Sequence, residues 1–134
     1  MATQLSTDVR DAMMDAIEST IGTAAKLQIR TGSAPANPAA ADTGSLLVEM
    51  DLPSDWLGAS SSGVKSKSGT WSGTASGTGT AGHFRIKDST GTDTGIQGTV
   101  TATGGGGDIT VDNASIATGQ AVTVNTFTLT APNA

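Results

Sequence analysis

The sequence predicts a mainly β protein: an antiparallel β-sandwich or barrel preceded by one N-terminal α-helix. Three observations carry this. After Gly22 the apolar residues change from a spacing of three and four to a spacing of two. Short alternating runs then recur roughly every ten residues, separated by Gly-, Asp- and Pro-rich turn signals. No strand–helix–strand alternation occurs, and 134 residues suit a single domain (1–134), with the helix over about 6–21 and the sandwich over about 24–131.

Ser6, Thr7 and Asp8 offer N-cap oxygens ahead of VRDAMMDAIESTIG, and Gly22 is placed as the stop. Val9, Met13, Ala16, Ile17 and Ile21 form an apolar stripe, with Arg10, Asp11, Asp15 and Glu18 opposite and Asp11 assigned to the first turn. The stripe is expected either to pack on the chain's own sheet or to dock on another subunit. AKLQIRTG then alternates, Leu27 and Ile29 against Lys26, Gln28 and Arg30. GSAPANPAAADTG, with two prolines and five alanines, is a surface loop or an arm reaching a neighbour.

SLLVEMDL places Leu46, Val48, Met50 and Leu52 on one face. PSDWLGASSSG breaks that strand, and its Trp56 and Leu57 either fold back on the core or face a partner. Phe84 and Ile86 alternate with His83, Arg85 and Lys87, which are expected on an exposed face. KDSTGTDTG is a turn and TGIQGTVTA the returning strand of a hairpin. TGGGGD is expected to be a mobile loop, DITVD another strand, and AVTVNTFTLTAP the last. Its apolar set shifts by one place at Asn125–Thr126, the mark of a β-bulge.

Composition narrows the function. Leu, Ile, Val and Phe supply only 23 residues, whereas alanine supplies 19, so the core is thin and oligomerisation is the natural supplement. There is no cysteine, hence no disulfide and no thiolate chemistry. The start lacks a basic, apolar signal segment, and nothing has the length of a membrane span. Seven basic against twelve acidic residues argue against nucleic acid as partner.

The string GTGTAG at 77–82 is a literal G-x-G-x-x-G, but a dinucleotide site needs an apolar strand before it and a helix after it. Here GTWSGTAS precedes and the strand-like HFRIKD follows, so no nucleotide is expected. His83 is the sole histidine, too few ligands for zinc, and Asp88 and Asp93 lack calcium-loop spacing. Glu18 and Glu49 are the only glutamates and share no evident cleft. No catalytic, cofactor-binding or metal residue is assigned, and a non-enzymatic role is expected.

Three segments carry a resemblance: LQIRTGSAPANPAAADTGSLLVEMDL at 27–52, GHFRIKDSTG at 82–91 with GIQGTV at 95–100, and ITVDNASIATGQAVTVNTFTLTAP at 109–132. The order of these segments resembles small structural proteins encoded in the virion gene clusters of tailed bacteriophages. PSDWLGASSSG departs from the proline-and-phenylalanine loop of that pattern. The resemblance implies a virion component made in the host cytoplasm. The expected role is a capsid decoration or cement protein, associating with itself and with the major capsid protein or another virion protein. The alternatives are a neck, collar or tail subunit, and a carbohydrate- or receptor-binding sandwich, which the shortage of aromatics disfavours. Val9, Met13, Ile17, Trp56, Leu57 and Trp71, with the 33–44 arm, are the expected contacts.

Overall fold

A computed structural model describes residues 3–132. It contains one helix, α1 (Thr7–Ile21), and nine strands: β1 (Lys26–Thr31), β2 (Leu46–Asp51), β3 (Val64–Ser66), β4 (Ser72–Thr74), β5 (Gly79–Lys87), β6 (Thr94–Ala102), β7 (Ile109–Val111), β8 (Ser115–Ile116) and β9 (Ala121–Thr130). The main path runs β2-β1-β5-β6-β7-β9-β3, with β4 also on β9 and β8 on β5. This mostly antiparallel sheet curls into a half-barrel. Its open side is bridged where the amides of Ser76 and Gly77 donate to the Leu47 carbonyl, which joins the end of β4 to β2.

The expected local features form for the expected reasons. Ser6 Oγ accepts from the Val9 amide, and Gly22, at φ 91°, ends the helix with its amide on the Glu18 carbonyl. The acidic residue in the first turn is Asp8, not Asp11. β5 and β6 form the hairpin, and its turn is organised by Asp88, which accepts from the Thr90 hydroxyl and the Thr92 and Asp93 amides. Those bonds hold its carboxyl below the usual range, the Thr90 hydroxyl contributing most. The bulge on β9 is present: Thr110 pairs with Thr126 but Val111 with Val124, leaving Asn125 over.

One strand assignment changes. A second bulge lies in β2, where Ile29 pairs with Val48 and Arg30 with Leu46. The extra residue, Leu47, is fully buried and Leu46 only half-buried, reversing the expected alternation there. The GGGG segment is bonded to β6 at its end. It turns the chain so that β7 runs parallel to β6 after only a short connection. Gly107 donates to Thr101 Oγ1, and Asp108 accepts from both the amide and the hydroxyl of Thr99.

The core fills the concave side of the sheet. Its centre is an aromatic chain: Trp56 to Trp71 at 6.1 Å, Trp71 to Phe127 at 5.5 Å, and Phe127 edge-on to Phe84 at 5.6 Å. Leu27, Ile29, Val48, Met50, Ile86, Ile109 and Val124 close around it. With few large aliphatic residues available, these four rings supply much of the apolar burial.

Candidate interaction surface

The helix is attached by its polar side. Arg10 is buried, and its guanidinium donates to the Ala131 carbonyl at 3.0 Å. Asp11 accepts from the Gly63 amide at 2.6 Å, and Glu18 from the Leu57 amide at 3.0 Å. Asp15 accepts from Ser60 Oγ and from Lys65 Nζ, both at 2.9 Å, and Glu18 lies 3.3 Å from the same ammonium. Burial works against the charge on Lys65, but its bonds to Asp15 and Glu18 outweigh that and raise its pKa. The Lys65 and Ser60 bonds lower the pKa of Asp15.

This docking turns the helix. The buried positions centre on Arg10 and Met14, roughly a quarter turn from the middle of the apolar stripe at 100° per residue. Met14 is buried and the half-buried Ile21 packs against the core, while Val9 and Met13 stand outside at 47% and 39% exposure. They are the only large hydrophobic side chains exposed among the described residues. Ile17 lies at the margin, half-buried. Met13, Ala16, Ile17, Thr20, Ile21 and Gly95 line a groove of about 270 Å³ between the helix and β6. Beside that groove, Thr94–Gln97 of β6 have, among the described residues, a strand partner on one side only, because β7 pairs no further than Val100.

The other expected contacts lie inside. Trp56, Leu57 and Trp71 are at most 1% exposed and therefore offer no partner surface. Each indole finds an internal acceptor: Trp56 Nε1 donates to the Gly22 carbonyl at 3.0 Å, and Trp71 Nε1 to the Ser68 carbonyl at 3.1 Å. The loop carrying Trp56 folds under the helix and caps the open end of the core. The rings are drawn in because so few other large side chains can fill that space.

His83, Arg85 and Lys87 are also buried, contrary to the expected exposed face. The cause is the 33–44 arm, which folds over the outer surface of β1, β5 and β6. Arg85 donates to the carbonyls of Asn37, Pro38 and Ala40, and Gln97 to that of Pro35. Asp42 pairs with Arg85 and Lys87, each at 2.6 Å, and with Arg30 at 3.2 Å. Burial pushes the Asp42 carboxyl up, but hydrogen bonds from Lys87 and Arg85 and the charge of Arg30 override it and hold it at about 2.

His83 Nδ1 lies 2.9 Å from the Gly32 carbonyl and donates to it, and Nε2 is buried without a partner among the described residues. No serine hydroxyl or carboxylate bonds to His83 among the described residues. Nor do these residues hold a group of three or more His, Cys, Asp or Glu side chains placed for a metal ion. Two glycines of GTGTAG serve backbone contact: a Cβ on Gly77 would strike the Leu46 carbonyl and one on Gly82 the Gly32 carbonyl. Gly79 and Gly82 lie within β5, which runs on to Lys87 as strand and not as helix. No helix among the described residues is long and apolar enough to cross a membrane.

Only the helix stripe would have revealed its own significance from sequence, through Val9 and Met13. The arm's carboxylate, Asp42, gave no signal, because two of its three cationic partners come from β5, more than forty residues on. No protein-family model, curated protein or solved structure matches this chain.

Proposed function

We propose that this protein is a non-enzymatic structural subunit of a tailed-phage virion, acting as a capsid decoration or cement protein that associates with itself and with the shell. The observation that carries the proposal is the helix's quarter-turn rotation, which leaves part of its apolar stripe outside. A 15-residue helix fixed by its charged side, with Val9 and Met13 turned outward beside an apolar groove, is a surface made to be covered. Covering it removes apolar area from water without unfolding anything, which is how a many-copy subunit stabilises a junction. The virion setting itself rests on the resemblance of the 27–52, 82–91, 95–100 and 109–132 segments.

All four aromatic residues are buried, which weighs against a sugar-stacking platform and hence against the carbohydrate-binding reading. The test is quantitative mass spectrometry on purified particles. Hundreds of copies per particle support decoration, about six or twelve transfer the protein to the neck or tail, and none overturns the virion role.

A further inference from the structure

We propose that the groove between α1 and β6 takes an extended segment of a different protein, one that sets apolar side chains beside Met13 and Ile17 and a lysine or arginine beside Asp88 and Asp93. The inference rests on the helix face being a covered surface, as proposed above, but not on the virion setting.

The groove is apolar along the helix and acidic at one end. Met13, Ile17 and Ile21 lie on one wall and Gly95 of β6 on the other. Met13 and Ile21 are about 12 Å apart along the helix axis, the length of about four residues of extended chain. At Ile21 the groove runs into a second depression of about 210 Å³, which shares Thr20, Ile21 and Gly95 and adds Asp88 and Asp93. Neither carboxylate has a cationic partner among the described residues. The helix ends here too, and no basic residue stands in its last turn to offset the negative end of its dipole. Three sources of negative potential thus meet where the apolar groove stops, and a cation is what they attract.

The edge of β6 suits an extended chain. The Thr99 amide donates to Asp108 and so points away from β5. Alternate residues of an antiparallel strand point the same way, which turns the Gln97 amide and carbonyl to the open edge. Among the described residues nothing meets them there, since β7 begins to pair only at Val100. An added strand satisfies these groups as it fills the groove.

The occupant is not a second copy. The chain has seven lysines and arginines, and all are engaged. Lys26 pairs with Asp51, Lys65 with Asp15, and Arg30, Arg85 and Lys87 with Asp42, while Arg10 and Lys67 donate to the Ala131 and Gly69 carbonyls. At a net charge of −5, another copy is repelled by the acidic end, whereas a basic partner is drawn to it. Val9, a turn before the groove, remains for contacts between copies.

Two capped peptides, acetyl-KVTITV-amide and acetyl-VTITVK-amide, sample both strand directions and would be titrated into the isotope-labelled native chain. One of them should give saturable amide shifts confined to 13–21 and 93–98. Its binding should weaken about fivefold or more when its lysine is replaced by glutamate, and likewise against an Asp93→Lys variant. Asp93 enters the hairpin turn through its backbone alone, so this variant keeps the turn. No saturation by either peptide, equal binding of the lysine and glutamate forms, or shifts elsewhere overturns the inference. Light scattering on the same samples keeps the two readings apart. An oligomer that ignores the peptides leaves self-association standing, and a strict monomer that binds the basic peptide at the groove leaves this inference standing without it.

Discussion

The helix and the segment from Pro53 to Trp71 exchange the roles their sequences assign them. The amphipathic helix turns part of its apolar side to solvent, whereas the polar, serine-rich loop sends Trp56, Leu57 and Trp71 into the core. The difference follows from which contacts each element can complete. The helix carries Arg10, Asp11, Asp15 and Glu18 along one side, and each finds a partner in the loop, in β3 or just past β9. A loop has no preferred face, and indoles gain most from the interior once their N–H groups are satisfied. Local amphipathicity thus reports that a face is apolar, but not that its own domain covers it.

The largest expected effect comes from breaking the loop's half of this comparison. Trp71→Ala removes the ring that links Trp56 to Phe127 and is expected to cost about 3–5 kcal/mol in denaturant-induced unfolding. A loss below about 1 kcal/mol would mean that the aromatic chain is not the centre of the core.

Next is the arm. Asp42→Asn leaves Arg85 and Lys87 buried without their carboxylate, for a loss of about 2 kcal/mol near neutral pH. The sign of the pH dependence is fixed by the depressed pKa. The folded carboxyl titrates at about 2 against an unfolded value of 3.8, so its stabilisation is complete above about pH 4 and is lost as pH falls towards 2. Denaturation across pH 2–5 should show a shallower acid loss in the variant than in the native chain.

A third, smaller effect concerns the helix anchor. Lys65→Met removes the ammonium shared by Asp15 and Glu18, at a site where the lysine side chain is only 4% exposed. Because both carboxylates remain partly solvated, the expected loss is about 1 kcal/mol. It should appear as faster amide exchange in 7–21 than in β5.

The parts legible in the sequence were those decided within a few residues. The helix caps at Ser6 and Gly22, the Asp88 turn and the Asn125 bulge depend on neighbours in the chain. What escaped depends on distant partners. Whether β5 alternates to solvent is decided by an arm more than forty residues upstream, whose Asp42 covers Arg85 and Lys87. Leu47 replaces Leu46 in the core because of a bulge forced where β1 meets β2 and where Ser76 and Gly77 join the strand. At the candidate surface, Val9, Met13 and Ile17 were identified from spacing alone, while the rotation that exposes the first two came from polar contacts that no periodicity encodes.

The smallest expected effect on folding belongs to the surface on which function is proposed to depend. Val9→Glu with Met13→Glu should change the unfolding free energy of the monomer by no more than about 0.5 kcal/mol, because both side chains already face water. The direct test is the solution mass of the native chain and this double variant, measured by light scattering over a range of concentrations. The account predicts an oligomer for the native chain and a folded monomer for the variant. A native monomer throughout, or a variant that assembles as the native chain does, would contradict it.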